Sequence, residues 1–280
     1  MRPFRFGVAM YEPGSRAEWV AKCRRAEDLG YDVVGVVDHL GRVAPVPALL
    51  LAAEATERIR LNTYVLNASF HNPVLLARDL AALDKFTGGR VEIGIGAGYV
   101  RAEFEAAGID WGTPGRRFGR LVDVVGEIER AFADRPRPPL LLGGRGDRML
   151  TFAAAHADTI ALTGTAPGAA EGRLALASSA ALAERAAFAR RVLDGRDTEL
   201  NLMVHFVRIT GDRRAALEAA HELVPHLGVD ELGALATVLA GSADAVAEQL
   251  QGTRETLGTS YFTVLEDDLT TLAPVIEKLR

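Results

Sequence analysis

The chain has 280 residues, 49% of them hydrophobic, and its 32 basic and 37 acidic side chains leave a formal net charge of −5. That balance, with no long block of one sign, argues against nucleic acid as the main partner, and the length suits one large core or two modest ones. Cys23 is alone, so no intramolecular disulfide framework exists, and no run of eighteen apolar residues or signal-like start stands out; a cytoplasmic protein with no membrane span is expected.

"FRFGVAM", Phe4 to Met10, is a short apolar run ending at the turn "YEPGS". Ser15 and Glu18 then have capping-box spacing for a helix through Leu29, with Trp19, Cys23 and Ala26 on its inner stripe. "YDVVGVVDHL" reads as a second strand and "PALLLAAEATER" as a second helix. "IRLNTYVL" is a third strand, "NPVLLARDLAALDKF" a third helix with Pro73 in its first turn, and "RVEIGIGA" a fourth strand. In "RRFGRLVDVVGEIERAF", Leu121, Val124, Val125 and Ile128 recur at helical spacing. "PPLLLGG" is a fifth strand, "DRMLTFAAAHA" a helix, and "DTIALTG" a sixth strand. A helix over Leu174 to Leu193 precedes "ELNLMVHFVRIT", read as the seventh strand. Next come a helix over Arg214 to Val224, a less regular stretch to Ala240 and a helix from Ser242 to Leu257. "TSYFTVLE" is the eighth strand, and "LTTLAPVIEKLR" closes the chain.

Eight β-like runs separated by helices, with no linker, predict one α/β domain over residues 1–280: a (β/α)8 TIM barrel rather than an open doubly wound sheet. The alternating Gly94, Gly96 and Gly98 give only half of a dinucleotide fingerprint. The remaining small residue and the distal acid are missing, and "YVRAEFEAAGIDWG" gives at best a short polar helix.

Chemistry in such a barrel gathers at the C-terminal ends of the strands. Those ends present Met10 and Tyr11, Asp38 with His39, Tyr64 through Asn67, Gly96 to Tyr99, Gly143 to Arg145, Thr163 to Thr165 and Leu265 to Asp267. A histidine exchanges a proton near neutral pH and a carboxylate can orient it, so Asp38 and His39 are the candidate catalytic pair. The competing reading is that the pair ends a strand and binds backbone. Neighbours on an extended strand point in opposite directions, so the two need not touch. A lone Asp-His pair falls short of a metal site, and no metal is expected. Gly96 and Gly98 suit a mouth where a flat ligand needs the backbone close. In "LLLGGRGDRML", Gly143 and Gly144 before a helix either leave backbone N–H groups for a phosphate, with Arg145 as charge partner, or form a plain βα turn.

Taken together, the strand ends resemble the bacterial luciferase-like flavin and deazaflavin oxidoreductases. The resemblance runs through "GYDVVGVVDH", "IRLNTYVLNASFHNPVLLARDLAALDKFTGGRVEIGIGAGY", "PLLLGGRGDRMLTFAAAHAD" and "AGSADAVAEQLQGTRETLGTSYF". It is strongest toward the members that use coenzyme F420, a deazaflavin. It implies a luciferase-like barrel, a homodimer and a small organic substrate. His39 falls where the family keeps a histidine beside the ring, and Asp38 accompanies it. Thr63, Tyr64 and Val65 match a strand-three bulge, usually with a non-prolyl cis peptide, that supports one ring face. Gly96, Gly98 and Tyr99 would flank the ring, and Gly143 and Gly144 would hold the cofactor phosphate. Asn67 and Thr163, at the ends of strands three and six, complete the implied cofactor set.

The chain departs from the family's sugar-phosphate dehydrogenases at Tyr99, where those enzymes carry a proton-donating glutamate. The next acid in this loop is Glu103. The expected activity is hydride transfer between deazaflavin C5 and a substrate carbon. An FMN-dependent monooxygenase and a non-catalytic F420- or flavin-binding protein are the alternatives.

Overall fold

A computed structural model describes residues 2–12, 14–166 and 175–280. Strand β1 (Arg5–Met10), helix α1 (Arg16–Asp28), strand β2 (Val33–Val36) and helix α2 (Pro45–Ala55) open the chain. The expected capping box starts α1: the Ser15 hydroxyl accepts from the Glu18 amide, and the Glu18 carboxylate accepts from the Ser15 amide. The third strand comes in two pieces, β3 (Arg60–Thr63) and β4 (Leu66–Asn67), and leads through a single 3-10 turn to α3 (Pro73–Phe86). Then follow β5 (Val91–Gly96), a short α4 (Arg101–Ala106) and α5 (Pro114–Ala131). Proline at the first turn of α2, α3 and α5 supplies the helical φ where no N–H partner is needed.

Next are β6 (Leu140–Gly143), α6 (Asp147–His156), β7 (Thr159–Leu162) and α7 (Ser179–Val192). Leu174, the expected start of this last helix, lies outside the described residues, as does Pro13 of the first turn. The chain closes with β8 (Glu199–Met203), β9 (Phe206–Ile209), α8 (Arg213–Leu223), α9 (Val229–Gly233), β10 (Val238–Gly241), α10 (Ala243–Leu257), β11 (Tyr261–Leu265) and α11 (Ala273–Leu279).

The strands lie in the order β3, β2, β1, β11, β8, β7, β6, β5, all parallel, and β5 pairs back onto β3 and β4 to close an eight-stranded barrel ringed by helices. Strands buried on both faces read as unbroken apolar runs, which is why "VVGV" and "TIAL" show no alternation.

Two stretches differ from the sequence reading. The run "ELNLMVHFVRIT" is two strands: β8 stays in the barrel, whereas β9 leaves it and pairs with β10 in a separate two-stranded sheet. The stretch expected to be irregular up to Ala240 contains α9 and β10, which pack with α8 around Leu217, Leu232, Leu235 and Val238. The third strand also carries one residue more than its neighbour: Leu61 lies opposite Val91, but Leu66 opposite Ile95. The Tyr64–Val65 peptide within this bulge is cis.

Side chains fill the barrel interior. Its floor is ionic: Arg5 donates to Glu92 at 2.6 Å and to Glu199 at 2.5 Å, Arg60 reaches Glu92 at 2.6 Å, and the Arg5 guanidinium lies 4.4 Å from the Tyr261 ring centre. Higher up, the Tyr64 hydroxyl donates to Asn201 at 2.7 Å, and Asn201 donates to Thr263 at 2.9 Å. Charged side chains thus fill the end where the strands start; the candidate site residues lie at the opposite end, where the helices begin.

Candidate functional site

Asp38 and His39 follow β2 and share the mouth, yet each has a different partner. Asp38 Oδ2 accepts the Asn67 amide at 2.9 Å and faces His71 Nε2 at 3.0 Å. It thereby ties the end of β2 to β4 and to the residue just before α3's N-cap. His39 turns the other way: its Nδ1 lies 2.8 Å from Glu103 Oε1, and its Nε2 lies 3.1 Å from the Tyr99 hydroxyl. Glu103, only 16% exposed, comes from the first turn of α4.

A carboxylate only accepts, so the network assigns a proton to His39 Nδ1; in that tautomer Nε2 is the acceptor for the Tyr99 O–H. The Tyr99 ring meets the imidazole edge-on, with centres 5.5 Å apart. It is 78% exposed, the largest exposure of any big apolar side chain among the described residues. A phenol ordinarily titrates at about pH 10, and the Glu103 carboxylate across the imidazole disfavours a second negative charge, so Tyr99 keeps its proton at neutral pH.

The bulge distributes its three residues to different tasks. Thr63 is buried, and its hydroxyl bonds both the carbonyl and the amide of Gly94, at 2.9 and 2.8 Å. Tyr64 is the barrel-filling residue already met. Val65 is half-buried and lies over the ends of β5 and β6: a Cβ built on Gly96 would come within 2.9 Å of it, and one on Gly143 within 3.8 Å. Gly98 has φ +79°, and a Cβ there would stand 2.5 Å from the Asn67 carboxamide. The space that glycine leaves at positions 96 and 98 is thus taken by Val65 and Asn67, which brings the bulge tightly against β5.

On the far side of the mouth, Gly143, Gly144, Arg145 and Gly146 lead into α6. No side chain caps this helix, and a Cβ at Gly146 would meet only open space. The Asp147 carboxylate, which would repel an anion here, is paired with Arg185. Arg145 donates to the Thr165 carbonyl at 3.3 Å, and the Arg148 guanidinium lies 4.2 Å above the Phe118 ring. Uncapped N–H groups at a helix start suit a phosphate, and Arg145 and Arg148 are the cations adjacent to them in the chain. Thr163 shares a 2.9 Å hydrogen bond with Thr165, and its carbonyl lies 2.8 Å from His205 Nε2; burial lowers the pKa of that histidine, which keeps it neutral.

Sequence reasoning named His39 and Asp38 but not their partners, His71 and Glu103. Both pairs lie far apart in the chain. The only signal for Glu103 was its place as the first acid after Tyr99. Among the described residues no group of three or more His, Cys, Asp or Glu side chains could hold a metal ion, and no helix is long and apolar enough to cross a membrane.

The model of the luciferase-like monooxygenase family matches residues 1–269. The chain is 32% identical to 4-hydroxyprotoasukamycin monooxygenase of Streptomyces nodosus subsp. asukaensis over 124 residues, 42% of this chain and 32% of that protein. It is 36% identical to the F420-dependent glucose-6-phosphate dehydrogenase of Amycolatopsis mediterranei over 113 residues, 36% of this chain and 33% of the other. These matches thus span about a third of each relative's length. In fold, it superposes on the coenzyme F420 dependent tetrahydromethanopterin reductase of Methanopyrus kandleri with a TM-score of 0.74 and 17% identity, over 100% of both chains.

Proposed function

The chain belongs to the luciferase-like monooxygenase family, and on that premise we propose that it is an F420-dependent oxidoreductase moving a hydride between the deazaflavin C5 and a small organic substrate. The observation that carries this reading is the mouth itself. On one side the uncapped α6 start, with Gly144, Arg145, Gly146 and Arg148, fits the phosphate of a flavin-like cofactor. On the other, the exposed Tyr99 ring meets His39 edge-on, and Val65 lies over the ends of β5 and β6, where it could cover one face of a flat ring. The residues present therefore fit the group.

When bound, the cofactor would supply the two-electron chemistry. The chain's own residues then do the rest. The α6 amides and Arg145 hold the anionic end. Val65, which covers Gly96, would support one face of the ring. Asp38 keeps the bulge in place through the Asn67 amide, and His39 manages a proton at Nε2. Orientation of two reactants at this distance scale is itself a large catalytic term. Matched segments shared with an F420-dependent dehydrogenase support F420 over FMN. The match to a monooxygenase is the observation that favours the second reading, an FMN-dependent monooxygenase. The same proposal includes a homodimer.

Titrating the purified chain by fluorescence with F420 and with FMN under equal conditions tests the choice. F420 is expected to bind more tightly. FMN binding at least tenfold tighter, about 1.4 kcal/mol, would overturn it.

A further inference from the structure

Glu103, His39 and Tyr99 form a chain of two hydrogen bonds that ends at a hydroxyl on an exposed ring. We infer that it is a proton relay in which Tyr99 exchanges a proton with a substrate oxygen, His39 is its base, and Glu103 is the positioning residue. The inference deepens the hydride-transfer reading above and rests on it.

Both imidazole nitrogens are occupied. Nδ1 is held by Glu103, and Nε2 is covered by the Tyr99 hydroxyl, so an incoming oxygen meets Tyr99 before it meets His39. Asp38, next to His39 in sequence, is unavailable: its Oδ2 is committed to the Asn67 amide and to His71. The nearby arginines on the two connections have other partners, Arg101 pairing with Glu105 in α4 and Arg42, after His39, with Glu12. Glu103 is thus the carboxylate that can fix the ring's tautomer and stabilise the imidazolium.

The relay balances. In oxidation of an alcohol, the substrate O–H breaks and its proton goes to Tyr99 Oη as the Tyr99 proton passes to His39 Nε2. The hydride, with its electron pair, leaves the same substrate carbon for the oxidised deazaflavin. The imidazolium then releases its proton to solvent. In carbonyl reduction every transfer runs backwards: the oxygen gains a proton from Tyr99, and Tyr99 is refilled from His39. A phenol that keeps its proton suits both directions, because it passes a proton on without standing as an anion.

The first test needs neither cofactor nor substrate. In the full chain carrying 15N-labelled histidine, at about pH 8.5, where an ordinary imidazole is neutral, the His39 signals are those lost in His39→Asn. Nδ1 is expected to be the protonated nitrogen and Nε2 the bare one. Glu103→Ala is expected to move the proton toward Nε2, and Tyr99→Phe to shift the Nε2 resonance alone. A wild-type His39 protonated at Nε2, an unchanged tautomer in Glu103→Ala, or an unmoved Nε2 resonance in Tyr99→Phe would each overturn the relay. The second test is single turnover of bound reduced F420 with carbonyl acceptors. There Tyr99→Phe is expected to fall by roughly 100-fold or more, and a wild-type rate would overturn the role of Tyr99. Failure to bind F420 would instead strike at the proposed function, while the tautomer measurement would still decide the relay.

Discussion

Gly94 is the tightest point of the barrel seam, and replacing it by alanine is a severe test of the site's construction. A Cβ at this position would lie 2.0 Å from the Thr63 carbonyl oxygen and 2.8 Å from Asn62 Oδ1. Backbone cannot swing aside as a side chain can, so β3 and β5 must separate by roughly 1.4 Å to restore ordinary contact. That movement would stretch the two hydrogen bonds between the Thr63 hydroxyl and the Gly94 backbone, now 2.8 and 2.9 Å, beyond useful length. Two such bonds are worth about 1 kcal/mol each. Overpacking adds about 1–3 kcal/mol, so Gly94→Ala should destabilise by about 3–5 kcal/mol in all. Gly119→Ala is the internal control: it lies within α5, nothing stands within 4 Å of the added methyl, and alanine there should be neutral or stabilise by up to about 1 kcal/mol. Urea unfolding followed by circular dichroism reads both variants. A Gly94→Ala protein within 1 kcal/mol of wild type would refute the steric reasoning.

Asp268 and Arg5 give two further predictions. Burial, with Asp267 nearby, pushes the Asp268 carboxyl up from 3.8 to about 6, so the folded state binds its proton more tightly than the unfolded chain does. Stability from this group is therefore full below about pH 4, is lost as pH rises to about 6, and stays lost above. Asp268→Asn should gain about 1–2 kcal/mol at pH 8, allowing for the group's partial exposure, and nothing at pH 4; equal effects in urea melts at the two pH values would disprove this. Arg5→Met leaves Glu199, 5% exposed, without its guanidinium, and should cost about 2–4 kcal/mol. Burial already raises the Glu199 carboxyl, so the loss should shrink as pH falls and that group protonates; a loss that does not change between pH 8 and pH 5 would contradict the account.

The barrel was legible because its strands are buried on both faces and stop at glycine or at polar residues, as "PPLLLGG" and "DTIALTG" do. The partition of "ELNLMVHFVRIT" was not. Hydropathy says that a segment is buried, not which sheet receives it, and the partner of β9 lies beyond two helices at Val238–Gly241. For the same reason α9 and β10 hid inside a stretch of mixed polarity: each is short, and their burial comes from packing on α8. Position after a strand was enough to place Asp38, His39 and Tyr99 at the barrel mouth. Pairing was not, because side chains on successive extended residues diverge and only the folded loops decide that Asp38 faces His71 while His39 faces Glu103. The glycines at 96 and 98 were read as room for a ligand. The structure fills that room with Val65 and Asn67, neighbours that strand register alone reveals.

Tyr99 and Glu103 enter the mouth on one connection, between β5 and α5, whereas Asp38, Val65 and Asn67 belong to the barrel wall. The two groups are joined through His39, whose nitrogens meet Glu103 and Tyr99, and through Phe104 packed on Phe70. Exchange of the segment between Gly98 and Thr113 would replace the partners of His39 while keeping Asp38, Val65 and Asn67, provided the new loop refills the buried place of Phe104 against Phe70. A laboratory graft of that one loop is accordingly the shortest route by which this barrel could be given a new reaction.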